Sequence, residues 1–99
     1  MEKIRLNKKN SGRHAIILSD NAEFSDFLQW GQKIEIKLNI SYNKKIDDFD
    51  THYWIFDFME ASVIYCYNIY TGLQLYLSDE KNEQDQEKIF ILFELLKSL

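Results

Sequence analysis

Three β-rich runs, His52 to Met59, Ser62 to Ile69 and Leu73 to Leu77, follow one another with only a few residues between them. Connections that short join antiparallel neighbours, because a parallel crossover needs about a dozen residues or more. This half of the chain therefore predicts an antiparallel meander, and everything else must be fitted around it. Side-chain alternation assigns its faces. In the first run Trp54, Phe56 and Phe58 share one side and Tyr53, Ile55 and Asp57 the other, so the bulkier set is expected inside. In the last run Leu73, Leu75 and Leu77 point inward, leaving Gln74 and Tyr76 outside. If Ile64 and Cys66 pack inward in the middle run, Tyr65 and Tyr67 join Tyr53 and Tyr76 on an outer, tyrosine-rich face.

Upstream, Lys3 to Asn7 alternates with Ile4 and Leu6 on one side, Asn10-Ser11-Gly12 has turn chemistry, and His14 to Leu18 resumes a β-rich run: a hairpin. Asp20-Asn21-Ala22-Glu23 has the form of a capping box ahead of Phe24, Phe27 and Leu28 at helical spacing, with Gly31 placed to end the helix. Gln32 to Tyr42 alternates strictly (Ile34, Ile36, Leu38, Ile40, Tyr42) and predicts a strand, followed by a polar, acidic loop from Asn43 to Asp50. A last helix should begin near Glu83, capped by Asn82, with Ile89, Leu92, Phe93, Leu96 and Leu99 on one face and Phe90, Ile91 and Leu95 widening the stripe. The expected fold is α+β: an antiparallel sheet of about five or six strands, N-terminal hairpin plus C-terminal meander, with one inserted helix and one C-terminal helix.

The 99 residues hold three isolated glycines and no proline, so there is no linker at which to divide them, and one compact domain over 1–99 is expected. Cys66 is the single cysteine, which fits a buried thiol in a reducing, cytoplasmic setting rather than a disulfide framework. No apolar run approaches the roughly 20 residues of a membrane span, and the basic N-terminus lacks the apolar stretch of a signal peptide. Charge is unevenly spread. Residues 1–19 carry five basic side chains against Glu2, whereas 46–87 carry ten acidic side chains opposed only by Lys81. Such a field repels phosphate backbones and attracts basic proteins, so nucleic-acid binding is not expected of that region. The basic first hairpin is expected to be an edge protected by lysine.

The stretch Ile46 to Tyr67 concentrates acids, a histidine and aromatics. Asp48-x-Asp50-x-His52 would project three ligands to one side of an extended chain, but no zinc or calcium-loop pattern accompanies it, and neither a metal nor a cofactor is expected. His52 with Asp57 and Glu60, or with His14, makes an acid/base pair on paper. No nucleophile elbow, phosphate-cradling loop or nucleotide fingerprint supports an enzyme. Tyrosine, by contrast, supplies large contact area with a polar tip, and aromatic anchors ringed by charge are what binding hot spots are made of. Asp47, Asp48, Asp50, Tyr53, Asp57, Glu60, Tyr65 and Tyr67 are thus the candidate partner-binding residues. The surplus apolar stripe of the last helix also permits a homodimer centred on Phe90 or Ile91.

In size, in the acidic region from Ile46 to Glu87 and in its interleaved aromatics, the chain resembles the small immunity proteins that bacteria make against their own secreted or contact-delivered toxins. The resemblance implies a protein inhibitor of a basic, nuclease-like toxin domain, with Asp47, Asp48, Asp50, Asp57 and Glu60 standing in for phosphates and Tyr53, Tyr65 and Tyr67 as anchors.

Overall fold

A computed structural model describes residues 4–9 and 12–99. The elements follow in the order β1 (Arg5–Lys8), β2 (His14–Ser19), α1 (Phe24–Leu38), β3 (Lys44–Asp47), β4 (Thr51–Phe58), β5 (Ala61–Asn68), β6 (Gly72–Leu77) and α2 (Glu83–Leu96). The strands form one antiparallel sheet in the order β1-β2-β6-β5-β4-β3, so the fold is α+β with the expected hairpin, meander and two helices. The chain leaves β2 near one edge, crosses through α1 and re-enters at the far edge as β3. The meander then walks back until β6 pairs with β2. Of the first hairpin's turn, Asn10 and Ser11 lie outside the described residues, as does Lys3.

The core lies on one face of the sheet. Ile16 and Leu18 of β2, Leu73, Leu75 and Leu77 of β6, and Val63, Tyr65 and Tyr67 of β5 meet Phe27 and Ile34 of α1 and Ile89, Leu92 and Leu96 of α2. Residues of the opposite parity, among them Ile17, Tyr53, Ile64, Cys66 and Tyr76, line the other face. No helix among the described residues is long and apolar enough to cross a membrane.

Helix α1 differs from the sequence expectation at both ends. Its N-cap is Glu23 rather than Asp20, and the Asp26 carboxylate accepts the Glu23 backbone N–H at 2.8 Å, the reciprocal half of a capping box. It does not stop at Gly31 but continues to Asn39, which takes the left-handed conformation (φ 53°, ψ 49°) that ends helices. The predicted strand Gln32 to Tyr42 is therefore mostly helix. Gly31 serves a different purpose: a Cβ there would lie 2.9 Å from Trp54 and 3.2 Å from Tyr65, so its absence lets the helix sit close on β4 and β5. The sixth strand comes instead from the expected loop, where Lys44–Asp47 pairs with His52 to Ile55.

The β4–β5 hairpin turns through Met59 (φ 51°) and Glu60 (φ 67°), a two-residue connection whose geometry favours Asn-Gly. Neither native residue suits it. Replacing Met59 with Asn and Glu60 with Gly should stabilise the domain by about 1 kcal/mol, measurable by urea denaturation.

Candidate functional site

The sheet's two ends differ. At one end the β3–β4 turn, Asp48-Phe49-Asp50, lies beside the β5–β6 turn, Ile69-Tyr70-Thr71, because Thr51 pairs with Asn68 and the Ile69 N–H donates to the Asp50 carbonyl at 3.3 Å. Phe49 is 99% exposed and Tyr70 78% exposed, with Ile46 and Ile69 about half exposed. A polar network ties the turns together. The Asn68 side-chain oxygen accepts the Tyr70 and Thr71 backbone N–H groups at 2.8 and 3.3 Å, and its amide nitrogen donates to Thr51 Oγ1 at 2.8 Å. The Thr51 hydroxyl donates in turn to Asp50 Oδ1 at 3.2 Å. The Asp48 N–H donates to the Thr51 carbonyl, and Asp48 Oδ1 accepts the Phe49 N–H, both at 2.8 Å. Two aromatic side chains are thus held out in solvent on bonded turns, a preorganised arrangement.

Asp47 completes the acidic rim. It lies directly opposite His52, and the His52 Nδ1 to Asp47 Oδ1 distance is 2.7 Å. The His52 ring is held against Phe24 (centroids 4.8 Å apart) and stacked on Tyr67 (5.9 Å, 12°), so this pair pins β3 to β4 and to the start of α1. Glu23, the N-cap of α1, and Asp26 in its first turn add negative charge. Asp20, at the end of β2, is paired with Arg5, whose hydrogen bond holds the carboxyl below its usual range.

The eight candidate residues do not form one site. Asp47, Asp48 and Asp50 come together at the end just described. Asp57 and Glu60 lie at the other end of β4, and seven strand steps from Asp50 to Asp57 span about 23 Å. There Asp57 accepts a hydrogen bond from the Asn43 side chain at 3.2 Å. Tyr53 is on the sheet face away from the helices, between Ile46 and Cys66.

The expectation that Tyr65 and Tyr67 are surface anchors is corrected: both are buried beneath α1. Tyr65 has 0% exposure and donates to the Phe27 carbonyl at 2.6 Å, and Tyr67 donates to the Ala22 carbonyl at 3.2 Å. The close approach permitted by Gly31 leaves a deep slot under the helix that two large rings fill, stacked at 4.7 and 5.7 Å from Phe27, while Ile64 and Cys66 take the opposite face. Burial pushes the Cys66 thiol up to about 11, against an ordinary value of 9.0.

The acid/base pairs drawn from sequence do not assemble either. His52 meets Asp47 rather than Asp57 or Glu60. His14 lies on β2, separated from β4 by β6 and β5, with its ring Nδ1 3.0 Å from Glu80 and packed edge-on with Phe90. The Asp48 and Asp50 carboxylates are engaged at their own turn while His52 faces the helices. Among the described residues no three metal-ligating side chains are grouped to hold an ion.

Sequence inspection missed Phe49, Ile69 and Tyr70. The available signal was position: Phe49 stands alone between two aspartates, and Tyr70 sits within a turn, where neither can reach a core. No protein-family model, curated protein or solved structure matches this chain.

Proposed function

We propose that this chain is a protein-binding inhibitor, of the immunity-protein kind, that docks a basic toxin domain through the acidic end of its sheet. The observation that carries this reading is Phe49, an almost fully exposed phenylalanine between two aspartates on a hydrogen-bonded turn. A phenylalanine in water at a hairpin tip contributes nothing to the core, and a neighbouring tip presents Tyr70 in the same way. Asp47, Asp48 and Asp50 around them would meet lysine and arginine side chains that otherwise hold a polyanionic substrate, such as the phosphates bound by a nuclease. The same charges would speed the encounter by steering. Tyr53, Asp57 and Glu60 lie outside the contact in this reading, and a cytoplasmic location belongs to it.

The test is co-purification of the tagged chain with the product of the neighbouring reading frame at low and high salt. One-to-one capture of a basic domain, weakened by salt, is expected, and Phe49→Ala should weaken it about 30-fold or more, the loss of a hot-spot side chain. No capture at either salt would remove the proposal.

A second reading, a homodimer through α2, draws on Ile91 and Leu95, two partly exposed side chains one helical turn apart, with Leu99 also exposed just beyond the helix. It requires self-association that Ile91→Glu abolishes.

A further inference from the structure

The opposite end of the sheet carries a cavity of about 290 Å³ lined by Lys9, Arg13, His14, Tyr76 and Leu77. Its two cations are positioned. Lys9 Nζ lies 5.0 Å from the centre of the Tyr76 ring, and Arg13 Nη2 donates to the Ser78 carbonyl at 2.8 Å. The adjoining carboxylate is engaged by His14. Glu80 is nearly buried, accepting the His14 backbone N–H at 3.0 Å with one oxygen and facing the His14 ring with the other. Among the described residues neither Lys9 nor Arg13 forms an ion pair, in a chain with sixteen acidic side chains. A pocket with two cations outside any ion pair among the described residues, an aromatic ring and a leucine suits an aromatic group flanked by carboxylates.

The chain carries such a group itself, at its other end. We propose that two copies associate head to tail, the Asp48-Phe49-Asp50 turn of one entering this pocket of the next, with Phe49 against Tyr76 and Leu77 and the two carboxylates facing Lys9 and Arg13. A phenyl ring suits a cavity at the small end of the range for ligand sites. Turn and pocket are different surfaces at opposite ends of the strands, so the contact is heterologous and each added copy leaves one of each open. A single inserted turn buries less than a standard interface, which makes the association weak and confined to high concentration. The contact shares Phe49 with the proposed inhibitor surface, so a basic partner competes with it, but the pocket belongs to self-association alone.

Sedimentation velocity over a concentration series at low salt tests this with two variants. One removes the turn chemistry (Asp48→Asn, Phe49→Ser, Asp50→Asn) and the other the pocket charges (Lys9→Glu, Arg13→Glu); thermal melts establish that both fold. The wild type should associate progressively and dissociate in high salt, and each variant alone should stay monomeric. An equimolar mixture of the two should restore one-to-one dimers and nothing larger, since only one turn and one pocket remain intact. A wild type that stays monomeric throughout, a variant that still self-associates, or a mixture that stays monomeric would each overturn the proposal. Capture of a basic partner by the pocket variant should be no weaker than that of wild type, so failure here and failure of the inhibitor reading are told apart.

Discussion

Raising the pH from 9 to 12 is expected to unfold this domain cooperatively. The cause is a set of protons that the folded state refuses to release. Tyr65 is fully buried and its hydroxyl donates to a helix carbonyl; burial first, and then the nearby Tyr42 and Asp26, hold its pKa far above the ordinary phenol value of 10.0. Tyr42 is raised by burial and by Glu35, Tyr76 is pushed up to about 12, and Cys66 to about 11. In the unfolded chain the thiol ionises near 9 and the phenols near 10, so above those values the folded state binds more protons and stability must fall as pH rises. Below pH 9 these groups are protonated in both states and contribute no slope. Each suppressed ionisation costs about 1.4 kcal/mol per pH unit beyond the ordinary value, so Tyr65 alone removes about 3 kcal/mol by pH 12. Small domains have about 5–15 kcal/mol to lose. Circular-dichroism melts across this range check the slope. Tyr65→Phe should be less stable at neutral pH by about 1 kcal/mol, from the lost hydrogen bond, yet show a shallower alkaline decline.

Gly72→Ala should be comparably damaging. Gly72 opens β6 with φ +82°, where an L side chain is strained, and a Cβ there would fall 2.0 Å from the Ser19 carbonyl oxygen. The obstacle is backbone, so no rotamer change relieves it, and the end of β2 must separate from the start of β6. A loss of about 3 kcal/mol or more is expected, which for a domain of this size lowers Tm by roughly 15 °C. Gly12 provides the control. It also has a positive φ, +86°, but nothing among the described residues lies within 4 Å of its would-be Cβ, so Gly12→Ala should cost only about 1 kcal/mol of backbone strain.

The meander was legible because its connections are too short for any other pairing and because Trp54, Phe56 and Phe58 outweigh the residues between them. The start of α2 was legible from Asn82, whose side chain accepts the Asp85 N–H at 3.0 Å. Gln32 to Tyr42 misled for a physical reason. The helical stripe runs Phe27, Gly31, Ile34, Leu38, and its second member has no side chain to register as apolar, while Ile36, 74% exposed, imitates a strand position. Strand alternation sorts residues into two sets without saying which set faces the core. In β5 the volume under α1 decided, and it took the tyrosines.

The same limit applied to the site. Acidic composition located the Asp47 to Asp50 segment, but pairing of Thr51 with Asn68 is what sets the turn carrying Tyr70 beside the turn carrying Phe49, and that pairing joins residues 17 positions apart in sequence. The proposed inhibitor surface therefore differs from the one expected from sequence. It keeps the three aspartates and replaces the buried Tyr65 and Tyr67 with Phe49 and Tyr70.

The most direct test compares capture of the basic partner by two charge reversals placed at opposite ends of β4. Asp48→Lys with Asp50→Lys should abolish salt-sensitive capture, whereas Asp57→Lys with Glu60→Lys should leave it within a few-fold of wild type. Loss of capture in the second variant with retention in the first would contradict the account and move the contact surface to the other end of the sheet.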